Sequence, residues 1–212
     1  MKSLLQRYSE AVFDGFETIL NQIDPIRKAG AMLAEAKIAG GRWVLYDRGY
    51  AMSLDTSTRG SNPFDNRMYR MNTNEFEDGD CLVLGSYCAD DPEDIAVVKE
   101  LRKKNNTRLI TISPHKKPEN PRTETLLHTL ADRAIDNGTD NRGGAFDVRG
   151  IMGGILPCAR DINLTINQAI VAEYIQNMVK SGRSPSQFYM VHFPYFKEIQ
   201  EVMNKRVEKL GY

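Results

Sequence analysis

The chain has 212 residues, of which 41% are hydrophobic and 26% charged, a composition typical of one globular domain with a sizeable core. Its 28 basic and 28 acidic residues cancel, so no net charge draws it toward nucleic acid or an anionic membrane. Its 3 cysteines form no CxxC pair, which argues against a disulfide framework and a structural zinc site. No window approaches the roughly 18 apolar residues of a membrane helix, and the N-terminus lacks an apolar signal core, so we expect a cytoplasmic protein without a membrane partner.

The N-terminal segment predicts two helices. Apolar residues recur at spacings of three and four over residues 3–24, which indicates an amphipathic helix. Pro25 suits the first turn of a second, alanine-rich helix over residues 26–39, which Gly40 ends. The small side chains of this second helix allow it to pack closely on a sheet or against another subunit.

Further along the chain, β-rich runs alternate with helical segments. The predicted strands are residues 42–46, Arg67–Met71, 81–85, 108–112 and Arg133–Asp136, and the predicted helices are 92–104 (capped by Asp91), 123–131, 161–181 and Tyr195–Leu210. This alternation indicates an α/β three-layer sandwich with a central parallel sheet, of flavodoxin-like type, with extra N-terminal helices. We expect one domain over residues 1–212, with a helical segment 1–40, an α/β core 41–160 and C-terminal helices 161–212.

Four segments carry a pattern beyond secondary structure. They read GGRWVLYDRGYAMS, DCLVLGSYCADDPEDIAVVKEL, LLHTLADRAIDNG and NLTINQAIVAEYIQNMVKSGRSP. In this order they resemble the sugar isomerase (SIS) domain family, especially its phosphoheptose-isomerase-like branch. The resemblance covers nearly the whole chain. It implies the SIS fold, a sugar phosphate bound at the loops after the strands, and a homodimer or homotetramer with sites near the subunit interface.

In that family the loop after the second core strand holds a phosphate with serine hydroxyls and helix N–H groups. The resemblance therefore implies that Ser86, Tyr87 and Cys88 contact the ligand. Cys88 replaces the second serine of the family pattern, and Ala89 replaces its glycine. The acidic stretch 90–93 would place negative charge where a phosphate lies; alternatively, its acids only cap and charge the start of a helix.

The loop after the first strand is the second part of the expected site. The resemblance implies that Arg48, Gly49 and Tyr50 line it, with Tyr50 where the branch often has histidine. Arg48 is able to hold a phosphate or carboxylate through two hydrogen bonds. Its alternative is an ion pair with Asp47 or Asp55, and the sequence favours neither reading.

The candidate catalytic groups are few. Asp55 falls near the acidic residue that some SIS enzymes use as a base, and its alternative is a surface charge. His192 lies in an aromatic segment, and imidazole titrates near neutral pH, so it is a second candidate base. Ser113, directly after a strand, is a further expected ligand contact. No HxxxH or HExxH spacing occurs, and we expect no metal site and no cofactor.

Two functional hypotheses remain open. The first is a phosphosugar-isomerase-like SIS protein that binds a sugar phosphate or a related metabolite and isomerises aldoses and ketoses. The second is a non-catalytic SIS-type module, for metabolite binding, regulation or assembly, with a degenerate phosphate loop. In both hypotheses the partners are a small molecule and further copies of the chain, and not nucleic acid.

Overall fold

The computed structural model describes residues 2–48, 52, 66–68, 76–103, 107–140, 144–151, 153–185 and 194–210. Among these residues, five parallel strands form one sheet in the order β2-β1-β3-β4-β5. The strands are β1 (Trp43–Asp47), β2 (Asn66–Met68), β3 (Cys81–Gly85), β4 (Arg108–Ser113) and β5 (Arg133–Asp136). Because the order reverses between β1 and β3, a crevice opens at their carboxyl ends, where open α/β sheets bind ligands.

Helices cover both faces of the sheet. Among the described residues, the helices are α1 (Leu4–Leu20), α2 (Ile23–Ile38), α3 (Pro92–Leu101), a 3₁₀ helix (Leu127–Leu130), α4 (Ala159–Lys180) and α5 (Phe196–Leu210), the last of which has no buried residue. One core cluster joins α2 and α4, with part of α1, to one face, and a second joins α3 and the 3₁₀ helix to the other. The predicted three-layer α/β sandwich with a parallel sheet is therefore confirmed. Within the described residues, no helix is long and apolar enough to cross a membrane.

The alternation of β1 shows how the sequence builds these two cores. Trp43 and Leu45 point toward α2 and α4, whereas Val44 and Tyr46 point toward α3. Both sides of the strand are buried, which is why it reads as a continuous apolar run. Trp43 also packs on Tyr174 of α4, with ring centroids 5.3 Å apart. Such a pair fixes the position of the long helix on the sheet.

The small residues of α2 serve close packing inside the chain. A methyl group at Gly30 would lie 2.9 Å from the carbonyl oxygen of Ile170 on α4, so the two helix backbones touch there. Helix α4 in turn buries Ile162, Ile166 and Ile170 in the first core cluster. The apolar face of this long helix is thus used within the chain.

Some predicted boundaries were wrong. The helix expected over 123–131 is a 3₁₀ turn of four residues, because the N–H of Leu127 donates to Ala89 O at 2.7 Å instead of starting an α-helix. The first helix was expected to reach residue 24, but it ends at Leu20 and is capped there by Asn21. The start of the long helix, Ala159, precedes the predicted start by two residues, which is within the usual uncertainty of helix ends.

Candidate functional site

Within the part of the chain that the structure describes, two cavities open at the carboxyl end of the sheet. The loop cavity, of about 270 Å³, is lined by Arg48, Gly85, Ser86, Tyr87, Cys88, Asp91 and Asp94. The helix cavity, of about 370 Å³, is lined by Tyr87, Thr139, Asp140, Gly144 and residues 157–161 at the start of α4. Tyr87 lines both cavities. The crevice predicted by the strand order therefore holds two adjoining spaces that meet at one aromatic side chain.

Ser86 opens the loop after β3 and is buried. Its hydroxyl donates a 2.6 Å hydrogen bond to Asp94 Oδ2 and accepts one from the N–H of Cys88 at 3.3 Å. Burial, with a smaller contribution from the nearby charge of Asp91, raises the pKa of Asp94 to about 6, although the hydrogen bond from Ser86 opposes the shift. The serine that the resemblance assigns to a phosphate is thus engaged with a carboxyl group of the chain itself.

Asp91 occupies the start of α3. Its carboxylate accepts the backbone N–H groups of Glu93 and Asp94 at 3.0 and 3.2 Å, and Pro92 stands at the first helical position without an N–H. The cap predicted from the sequence is confirmed. Consequently, the helix N–H groups that would bind a phosphate already hold a carboxylate oxygen.

Arg48 follows β1 and reaches across the loop cavity. It forms ion pairs with Asp91, with Glu93 at 2.7 Å and with Asp94 at 3.3 Å. The alternative reading of Arg48 as an ion-pair partner fits this arrangement. Asp91 is the N-cap of α3 and Glu93 and Asp94 lie in its first turn, whereas the expected partner Asp55 lies outside the described residues. The carboxylate of Asp47 accepts the N–H of Met52 at 2.8 Å.

Arg122 was not expected from the sequence. Its backbone N–H and its guanidinium donate to the two carboxylate oxygens of Asp90 at 2.6 and 3.1 Å, and the guanidinium also pairs with Asp91 at 3.4 Å. Burial alone would raise the pKa of Asp90, but these hydrogen bonds hold it below its usual range. Asp90 is therefore directed toward Arg122, and it is not among the described residues that line the loop cavity.

A buried amide network supports the floor of the site. Asn137, after β5, donates to Asn163 Oδ1 of α4 at 2.8 Å, and Asn163 donates to the carbonyl oxygen of Ser86 at 3.3 Å. Asn137 also accepts the N–H and hydroxyl of Thr139 at 3.1 and 2.8 Å. The network ties the ends of β3 and β5 to α4. It therefore fixes the loop of Ser86 relative to the helix cavity.

The residues predicted from the sequence to form the site do not all lie together. Arg48, Ser86, Tyr87 and Cys88 come together around the loop cavity. Ser113 is fully buried, and it is not among the described residues that line either cavity. Its hydroxyl has no hydrogen-bond partner among the described residues. Gly49, Tyr50, Asp55 and His192 lie outside the described residues.

Cys88 and the two described histidines belong to the residue types that can act as reactive or metal-binding groups. Burial raises the pKa of the Cys88 thiol, which keeps it in the less nucleophilic neutral form. His115 and His128 stack with ring centroids 4.4 Å apart, and burial lowers the pKa of both. Among the described residues, no three His, Cys, Asp or Glu side chains are placed to hold a metal ion.

Sequence reasoning missed Asp94 and Arg122. Asp94 could have been found from its spacing, because a residue eight positions after Ser86 on the first turn of α3 faces back toward the end of β3. Arg122 carries no such signal, since it lies 32 residues after Asp90 in an irregular segment. Only the fold brings these two residues together.

Comparisons with known proteins identify the fold. No protein-family model matches the chain, and no curated protein matches it. A provisionally assigned phosphosugar isomerase involved in capsule formation, from Bacteroides fragilis, superposes with a TM-score of 0.55 at 15% identity, covering 86% of this chain and 93% of that one. A hypothetical protein superposes with a TM-score of 0.51 at 13% identity, covering 85% and 91%. The chain therefore has the α/β fold of these proteins, the fold that the SIS resemblance implied.

Proposed function

We propose that this chain is a phosphosugar-isomerase-like protein that binds a sugar phosphate or a related sugar derivative in the loop and helix cavities. The observation that supports this is the position of both cavities, which adjoin at Tyr87 beyond the carboxyl ends of the strands, in a fold shared with a provisionally assigned phosphosugar isomerase. Further support is the presence of polar side chains in both linings, among them Arg48 and Asp94 in the loop cavity and Thr139 and Asp140 in the helix cavity, since hydroxylated ligands need several hydrogen-bond partners at once.

Within this function, the internal contacts of the loop favour a related sugar derivative over a sugar phosphate. The hydroxyl of Ser86, the helix N–H groups at Asp91 and the guanidinium of Arg48 each already hold a carboxylate. A phosphate at this loop would have to displace these contacts. A ligand whose hydroxyl groups donate to carboxylates would not.

A second candidate function is isomerisation itself. Moving a proton between adjacent carbons of a sugar requires a base that exchanges protons near neutral pH. Asp94 meets this requirement, because it lines the loop cavity and burial raises its pKa to about 6. Asp55 and His192, the bases proposed from the sequence, remain candidates alongside it.

The experiment is a binding screen on the full chain by saturation-transfer NMR, with neutral sugars, amino sugars and hexose and heptose phosphates. We expect at least one sugar to bind, and we expect Tyr87→Ala to abolish that binding because Tyr87 lines both cavities. Proton exchange at carbon 2 of the bound sugar in deuterated water then reports isomerase chemistry. Failure of every sugar to bind, or binding unaffected by Tyr87→Ala, would contradict the proposal.

A further inference from the structure

We propose that the loop cavity takes the ammonium group of an amino sugar or a similar hydroxylated amine, rather than a phosphate. This inference rests on the proposed function, because it assumes that a sugar derivative occupies the two cavities. It assigns the chemical class of the group that lies beside Arg48 and Asp94.

The first argument is the balance of charge. The single guanidinium of Arg48 faces three carboxylates, those of Asp91, Glu93 and Asp94. Arg122 also pairs with Asp91, but it is shared with Asp90, so the four carboxylates of residues 90, 91, 93 and 94 face two guanidiniums. Two negative charges are thus left uncompensated when all four acids are ionised. A phosphate would add roughly 1.5 to 2 further negative charges at the same place, whereas an ammonium group neutralises one.

The second argument is an acceptor without a donor. Asp94 is only 2% exposed and lines the loop cavity, yet no hydrogen bond from the described residues reaches its Oδ1 atom. Arg48 Nε lies 3.3 Å from this oxygen, which is an ion-pair contact without hydrogen-bond geometry. A buried carboxylate oxygen that lacks a donor favours a ligand that supplies one.

The third argument separates an ammonium group from the other cations. Among the described residues, the acidic side chains do not converge as a metal site would require. An ammonium group needs less: its three N–H donors bind separate acceptors, and one charged acceptor with neighbouring oxygens is enough. Tyr87 lines both the loop cavity and the helix cavity, so the helix cavity beside it offers space for the hydroxylated part of the ligand.

The test is calorimetric titration of the full chain with glucosamine, glucose and glucose 6-phosphate. Because charge-assisted hydrogen bonds contribute about 1.5–3 kcal/mol, we expect glucosamine to bind about tenfold or more tightly than glucose. Asp94→Asn should remove this preference. The matched control Asp24→Asn, which changes an exposed carboxylate on α2, should retain it.

The outcomes distinguish the two proposals. Equal binding of glucose and glucosamine, or tighter binding of glucose 6-phosphate, would overturn the ammonium site and leave the sugar-binding function standing. Absence of binding by all three sugars would overturn the ammonium site, and the wider screen would then decide the function.

A second measurement on the unaltered protein does not depend on the folding of a variant. Among the described residues, Asp94 faces Ser86, Arg48, Asp91 and Glu93. Since protonation of Asp94 removes the charge that holds the amine, the preference for glucosamine over glucose should fall between about pH 7 and about pH 5. A preference that does not change with pH would overturn the inference.

Discussion

The hydroxyl of Ser86 donates a 2.6 Å hydrogen bond to Asp94 Oδ2, so the first serine of the loop after β3 is bound to a carboxyl group of the same loop and helix. Both groups are buried beneath the loop cavity. This hydrogen bond gives Ser86 a different role from the one expected. In the expected site it binds an anionic ligand, whereas here it stabilises an anion of the protein.

We predict that Asp94→Asn raises the free energy of unfolding near pH 8 and has little effect near pH 4. Burial raises the pKa of Asp94 to about 6, whereas an aspartate in an unfolded chain titrates near ~3.9. Between these values the folded state binds more protons than the unfolded state, so stability falls as the pH rises. The removed penalty is on the order of 1–3 kcal/mol. Urea unfolding at both pH values measures it, and a variant that is less stable at pH 8 would contradict the account.

We predict that Arg122→Met destabilises the protein by about 1–3 kcal/mol, because it leaves the buried carboxylate of Asp90 without its guanidinium partner. The lower part of the range applies, since the Arg122 side chain is 48% exposed. The double variant Arg122→Met/Asp90→Asn should lose less stability than the sum of the losses of the two single variants. Additive losses in such a cycle would show that the pair is not coupled.

We predict that Gly30→Ala costs about 1–3 kcal/mol of stability, although alanine is the better helix former. The added methyl group would lie 2.9 Å from the Ile170 carbonyl oxygen and would force α2 away from α4. Lys28→Ala, at an exposed position of the same helix, is the control and should be neutral within about 0.5 kcal/mol. Equal stability of the two variants in urea would mean that the helices separate without cost.

We predict a homodimer or homotetramer that covers the outer side of α1. Leu5, Phe13 and Leu20 are 74%, 69% and 70% exposed, and they repeat along one side of this helix. Light scattering should give two or four times the 24.0 kDa of one chain, and Phe13→Asp should lower this mass. Lys28→Asp, at an exposed position of α2, should leave the mass unchanged. A 24.0 kDa species for the unaltered chain at micromolar concentration would contradict the prediction.

The parts of the fold that sequence reasoning predicted are those with local signals. The strands β1 and β3 are continuous apolar runs because both of their faces are buried, and such runs can be recognised without a structure. Asp91 and Pro92 likewise mark the start of α3 through the chemistry of a helix end, which involves neighbouring residues only.

The ion pairs of the site could not be predicted in the same way. Arg48 and Glu93 are 45 residues apart, and Arg122 and Asp90 are 32 residues apart. Each acid has several basic residues within reach along the chain, and only the order of the strands selects the partner. The sequence therefore indicated correctly that the segment after β3 is acidic, but it could not identify the arginines that pair with these acids.

The most direct test of the account is calorimetric titration of the unaltered protein with pairs of sugars that differ only by a phosphate, such as fructose and fructose 6-phosphate. The account holds that Asp91 fills the anion position at the start of α3 and that Ser86 and Arg48 are already bound to carboxylates. It predicts that the phosphate adds no affinity and that sugar phosphates bind more weakly than about 1 mM. Binding of a sugar phosphate near about 1 μM, lost when the phosphate is removed, would contradict it.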